Sequence, residues 1–139
     1  MLFRSIYNLQ TKASFTYQKS TNLVDKTINP SFSPNFLSKL STSYTFFDTT
    51  YSVWADYISS MESNRNQQTG EPYGLNSKYN LTLNTDITHK IDKQTSVNFH
   101  ITNLLDKNNK IPAGSFLQNF YNGFYTQGRI FSLGFDYKF

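Results

Sequence analysis

Alternation of apolar and polar residues with a period of two sets the strongest limit on what this chain can become. In the final segment, 129–139, Phe131, Leu133, Phe135, Tyr137 and Phe139 fall on one side. Ser132, Gly134, Asp136 and Lys138 fall on the other. A strand sends successive side chains to opposite faces, so this segment makes one greasy face and one wet face. A helix would scatter the same residues around its axis.

The same rhythm recurs upstream. Val97, Phe99 and Ile101 alternate with Ser96, Asn98, His100 and Thr102. Tyr79, Leu81, Leu83, Thr85 and Ile87 alternate with Asn80, Thr82, Asn84, Asp86 and Thr88. Between Tyr51 and Ser59, the residues Tyr51, Val53, Ala55 and Tyr57 oppose Ser52, Trp54 and Asp56. Trp54 departs from the pattern and is expected either near a membrane interface or in a polar interior. Leu40, Thr42, Tyr44 and Phe46 mark the apolar side of Phe36–Phe47, and Thr11, Ala13, Phe15 and Tyr17 that of Leu9–Gln18. The prediction is an all-β antiparallel meander of about six strands, with residues 1–8 adding part of a seventh.

The connections alternate in length. Phe47-Asp48-Thr49 and Lys90-Ile91-Asp92-Lys93-Gln94 are short; the stretches 19–35, 60–77 and 105–128 are long and carry Pro, Gly and Asn clusters. Short turns at one end and long loops at the other are the pattern of outer-membrane barrels. Composition agrees. Aromatics make up 17% of the chain (13 Phe, 10 Tyr, 1 Trp), yet the mean hydropathy is negative. A barrel wall that is apolar outside and polar inside has this balance. No apolar run of about 18 residues is present, which excludes a membrane helix and leaves a barrel open.

Other classes find little support. The net charge of +4 is spread along the chain, so no nucleic-acid footprint is expected. There is no cysteine, and His89 and His100 lack metal-ligand spacing. No nucleophile elbow or phosphate-binding glycine loop occurs, so the chain is not expected to be an enzyme, and no cofactor or metal is expected. Residues 1–7 do not form a secretory signal. Six strands are also fewer than the roughly 8 of the smallest single-chain bacterial barrels. Unpaired edges are costly in hydrocarbon, so more strands must complete the wall.

Three motifs make the reading more specific. Ser132-Leu133-Gly134-Phe135-Asp136-Tyr137-Lys138-Phe139 resembles the C-terminal signal read by the β-barrel assembly machinery, with Ser132, Gly134, Tyr137 and Phe139 at its defining positions. Asn103-Leu104-Leu105-Asp106-Lys107 resembles the Asn-Leu-Phe-Asp-Lys motif that closes the penultimate strand of TonB-dependent receptors, with Leu105 in place of the aromatic. Gly128-Arg129 before the last strand, and Ser33-Pro34-Asn35-Phe36 before an earlier one, resemble the same family.

The resemblance implies that 1–139 is the C-terminal segment of a transmembrane β-barrel of about 22 strands, incomplete in this chain. Plug domain and signal peptide would lie elsewhere, in a truncated or split gene product that does not transport alone. It further implies the outer membrane of a Gram-negative bacterium, and contact with its lipid, the assembly machinery and the rest of the barrel and plug. TonB would act only through that plug. The substrate class would be an iron chelate, a siderophore or haem. In such receptors the outer loops bind substrate, which makes Phe116, Phe120, Tyr121, Phe124 and Tyr125 the candidate ligand-binding aromatics, with Arg65 and Lys110 as possible attractors of an anionic chelate. Lys12, Lys39, Asp56, Asp86, Asn98, His100, Asp136 and Lys138 would face the interior and could hydrogen-bond a plug. Two other readings fit the alternation: a small self-associating outer-membrane barrel or adhesin, and a soluble β-sandwich binding module.

Overall fold

A computed structural model of the chain describes residues 2–6, 8–21, 31–66, 68–112 and 121–139, with side chains from residue 8 onward. The strands are β1 (Leu2–Ile6), β2 (Leu9–Tyr17), β3 (Phe36–Phe46), β4 (Thr49–Ile58), β5 (Asn80–Lys90), β6 (Thr95–Thr102), β7 (Lys110–Ile111), β8 (Phe124–Tyr125) and β9 (Ile130–Tyr137). No helix forms among the described residues. One seven-stranded sheet runs β1-β2-β3-β4-β5-β6-β9, every neighbour antiparallel. All six predicted strands are present, and β1 joins them as a seventh at the edge. The long connection after β6 is not wholly irregular, since β7 and β8 pair within it.

The register joins the apolar sides of all the strands into one face. Tyr44 stands opposite Tyr51, Tyr51 opposite Ile87, Ile87 opposite Phe99, and Phe99 opposite Leu133. Slipping any strand by one residue would turn its apolar set to the wet side. The six strands that carry this face are 8 to 11 residues long. That is close to the 9–11 residues, roughly, that a tilted strand needs to cross a bilayer.

Among the described residues, nothing covers this face. Phe15, Leu40, Phe46, Phe131, Leu133 and Phe135 are all more than half exposed, and Leu133 reaches 77%. Among the described residues, Met61 is the one buried hydrophobic side chain. A soluble sandwich must lay a second sheet over such a row. The β7–β8 pair, two residues to a strand, cannot do so. An apolar surface this continuous needs an apolar surrounding.

The two ends of the sheet differ as the sequence predicts. At one end the chain turns sharply through residues 47–48 and 91–94. At the other, the long loops are lashed side by side. Phe32 N donates to Glu62 O (3.0 Å), Ser31 Oγ to Ser63 O (3.2 Å), and Leu75 N to Tyr121 O (2.8 Å).

The turn at 91–94 is held by Asp92, whose Oδ1 accepts from Gln94 N (2.7 Å) and Thr95 N (2.8 Å). The Gln94 backbone N–H is the main cause that holds this carboxyl below the usual carboxylate range. A lowered folded-state pKa stabilises the fold above the unfolded value of about 3.9, and the gain is lost as pH falls through the lower folded value. Asp92→Ala should therefore lower the denaturation midpoint at neutral pH, with the gap to the parent closing below about pH 3.9. Denaturant titrations at neutral and acid pH check this; a gap independent of pH would contradict it.

Candidate functional site

Three regions carry the polar chemistry: the wet face of the sheet, the loop that follows β6, and the terminal strand.

On the wet face the side chains pair across strands. Lys39 Nζ lies 3.3 Å from Asp56 Oδ1, and Asn84 Nδ2 donates to Asp56 Oδ2 (3.3 Å). Asp86 Oδ1 sits 3.6 Å from His100 Nδ1 and its Oδ2 accepts from Thr88 Oγ1 (2.8 Å). His100 Nε2 shares a hydrogen bond with Thr102 Oγ1 (3.0 Å), and Asn98 Nδ2 donates to Asp136 Oδ2 (2.9 Å). Trp54 belongs to this face, its ring 5.4 Å from that of His100 and 6.0 Å from Lys39 Nζ. Sequence alone left two places for it; the register against Ser41 and Asn84 decides. The Lys39–Asp56 ion pair is solvent-exposed and adds little stability by itself, while the bonds around Asn84, Asp86 and His100 are part-buried. Their arrangement makes a hydrated wall of mixed sign.

The loop after β6 is organised by Asn103. Its residue is 2% exposed and its backbone takes φ 51°, a left-handed conformation that asparagine tolerates better than most residues. Asn103 Nδ2 donates to Lys107 O (3.0 Å) and Gln127 O (3.3 Å), while Oδ1 accepts from Lys107 N (3.0 Å). Its own N–H donates to Asn84 Oδ1 (3.0 Å). Asp106, also left-handed at φ 50°, accepts from Arg129 N through Oδ1 (3.0 Å). Gly128 sits so close to that carboxylate that an added Cβ would lie 3.4 Å from Oδ1. Asp106 thus joins Gly128 and Arg129, and Asn103 joins the neighbouring Gln127, some twenty residues on.

This loop also finishes the sheet. β6 pairs with β5 only from Thr85 to Lys90, so the rest of that β5 edge needs other partners. Leu104 N donates to Leu83 O (2.7 Å). Asn109 imitates a strand residue with its side chain: Oδ1 accepts from Leu81 N (3.1 Å) and Nδ2 donates to Leu81 O (3.0 Å). Asn80 exchanges the same pair of bonds with the Lys110 backbone. Asn80, Asn84 and Asn109 are buried; the alternation puts Asn80 and Asn84 on the polar side without marking their burial, and nothing in the sequence singles out Asn109.

Of the candidate ligand-binding aromatics, Phe116 and Phe120 lie outside the described residues. Tyr121 and Tyr125 are exposed, and Phe124 pairs with Ile111 in the β7–β8 ladder. Tyr125 carries the Lys110 ammonium 4.6 Å above its ring. Arg65 is held within its own loop, 3.9 Å from Glu62 Oε2 and donating to Gly70 O (3.2 Å). The two proposed attractors of an anion are therefore not brought to one place. No group of three His, Asp or Glu suited to a metal occurs among the described residues.

In the terminal strand, Ser132 and Gly134 lie on the wet face and Tyr137 on the apolar one. Phe139 follows the end of β9 and meets Tyr137 edge-on, ring centroids 5.1 Å apart. Gly134 stands opposite Asn98, and a Cβ there would collide with Asn98 Oδ1. Gly134→Ala must displace that amide and its bond to Asp136. We expect a loss of about 1 kcal/mol that shrinks to near zero in an Asn98→Ala background. A double-mutant cycle measures this coupling. An undiminished loss would show that the glycine is needed for something other than Asn98.

No protein-family model matches the sequence, and no curated protein does. Solved structures match in fold. The ferric-catecholate import receptor Fiu of E. coli, in its closed form, aligns over 96% of this chain with TM-score 0.77 and 17% identity. FpvA of P. aeruginosa, in complex with a pyoverdine and iron, aligns over 96% with TM-score 0.76 and 16% identity. A variant of the ferric enterobactin receptor PfeA, also from P. aeruginosa, aligns over 96% with TM-score 0.76 and 14% identity. This chain spans only 19%, 18% and 20% of those three chains. They are TonB-dependent ferric-siderophore receptors. At this identity the likeness is one of fold: the chain folds as an unclosed segment of their barrel.

Proposed function

We propose that this chain is the C-terminal barrel segment of an outer-membrane TonB-dependent receptor for an iron chelate, built into a larger barrel and not transporting alone. The observation that carries the proposal is the sheet itself. It is a single layer with one uncovered apolar face and one hydrated face, and nearly its whole length follows the barrel of ferric-siderophore receptors. The motif of Asn103, Leu104 and Asp106, whose Asp106 is tied to Gly128 and Arg129, supports the same parentage.

The division of labour follows from the faces. The apolar face meets lipid. The wall of Lys39, Asp56, Asp86, Asn98, His100 and Asp136 offers donors and acceptors to a plug held inside. The lashed loops lie at the end where such receptors meet substrate. Among the described residues, β1 and β9 end the sheet with one free edge each, and further barrel strands complete their hydrogen bonds.

The test is genetic. Disrupting this reading frame in its native host should abolish growth on at least one ferric catecholate, ferric hydroxamate or haem as sole iron source, and spare growth on ferrous iron. Unimpaired growth across that panel would refute the uptake reading. Photocrosslinkers on the β1 and β9 edges should capture a different polypeptide bearing barrel strands. Capture of another copy of this chain alone would favour a self-associating barrel.

A further inference from the structure

The geometry points to a second binding site, for a lipid-borne phosphate, in the cavity between the loops that follow β4 and β6. The inference rests on the outer-membrane reading above. The cavity holds about 360 Å3 and is lined in part by Lys78, Tyr79, Asn80, Lys107, Lys110 and Asn122. Its walls are fixed by the Asn80–Lys110 bonds, the Asn109–Leu81 bonds and the Leu75–Tyr121 bond already described. Among the described residues, three lysines line it and no carboxylate does.

The Lys107 ammonium is the telling group. It is buried with no hydrogen-bond acceptor, its Nζ 3.7 Å above the face of Tyr79. An ammonium has three donors, and a ring face supplies attraction without taking them up as an oxygen would. A ligand with several acceptor oxygens and negative charge meets that need once the side chain turns from the ring into the cavity. A phosphate monoester has both properties.

The setting selects the source of that phosphate. Tyr79 stacks on Tyr57 (5.7 Å), Tyr57 contacts Phe36 (6.1 Å), and Phe36 stacks on Phe15 (6.3 Å). These rings form a belt along the loop end of the apolar face, where barrel aromatics mark the lipid headgroup level. Lys107 rests on the last ring of that belt. The cavity therefore meets the end of that belt, at the height of the headgroups.

The chain in its complete native barrel, purified from the outer membrane into bilayer nanodiscs of phosphatidylcholine with or without phosphatidic acid, provides the test, with bound lipid counted by native mass spectrometry. Phosphatidic acid should be retained over phosphatidylcholine on the order of tenfold or more, less so at high salt. Lys78→Gln/Lys107→Gln/Lys110→Gln should abolish this preference. Lys90→Gln/Lys93→Gln/Lys138→Gln, which removes as much charge at the turn end, should leave it intact. The single Lys78→Gln variant, at an exposed side chain, should weaken the preference without a risk to folding. Equal retention of both lipids, equal loss in both triple variants, or full competition by inorganic phosphate would each overturn the lipid site. Absence of the chain from any outer-membrane barrel would overturn the membrane reading itself, so the two failures are distinct.

Discussion

Asn103→Ala should destabilise the membrane-inserted protein by about 3–4 kcal/mol, the largest effect of any loop substitution in the described chain. Two losses add. The side chain serves three hydrogen bonds within a loop that buries it, and their partners Lys107 N, Lys107 O and Gln127 O would lose it together. Alanine would also hold a left-handed backbone at φ 51°. Asn103→Gly separates the two: it keeps the conformation and loses the bonds, and should be less damaging than alanine by about 1–2 kcal/mol. Asn103→Asp keeps an acceptor for Lys107 N but sets a carboxylate against two carbonyl oxygens, so it should not rescue. Denaturant titration of the reconstituted protein reads all three. Equal stability of the alanine and glycine variants would show that the backbone strain argued here is absent.

The second large effect belongs to the apolar face. Leu133 lies in the middle stretch of β9, opposite Phe99, and is 77% exposed. Leu133→Lys should cost about 2–4 kcal/mol, the penalty for a cation on the lipid face near the bilayer midplane. Ser132→Lys, one residue away, points to the wet face and should shift stability by no more than about 0.5 kcal/mol. The two substitutions introduce the same side chain on adjacent residues, so the contrast isolates the face. Equal effects would mean that the two faces do not differ in environment.

Much of this architecture was legible in the sequence because strand geometry is local. Phe131, Leu133, Phe135 and Tyr137 declare a face through their spacing, and the paired faces of neighbours follow from short turns such as 47–48. β1 was only partly legible, being short and preceding the clearest alternation. Trp54 was ambiguous because an aromatic ring suits both a lipid interface and a polar interior; its cross-strand partners settle the matter. The buried asparagines were not legible. Asn109 acts as a strand residue through its side-chain amide, and nothing in the local pattern around Asn108-Asn109-Lys110 distinguishes that role from an ordinary polar loop. The Lys107 cavity was hidden for a related reason: its walls come from two loops brought together only in three dimensions.

The central claim is that one face of this sheet meets lipid and the other meets water. The chain has no cysteine, so single cysteines along β5 give unambiguous spin-label sites. Labels at Leu81, Leu83, Thr85 and Ile87 in the membrane-inserted protein should relax readily with oxygen and be shielded from a water-soluble nickel reagent. Labels at Thr82, Asp86 and Thr88 should show the opposite. Accessibility that alternates with a period of two in this phase supports the account; uniform accessibility, or alternation in the inverse phase, contradicts it.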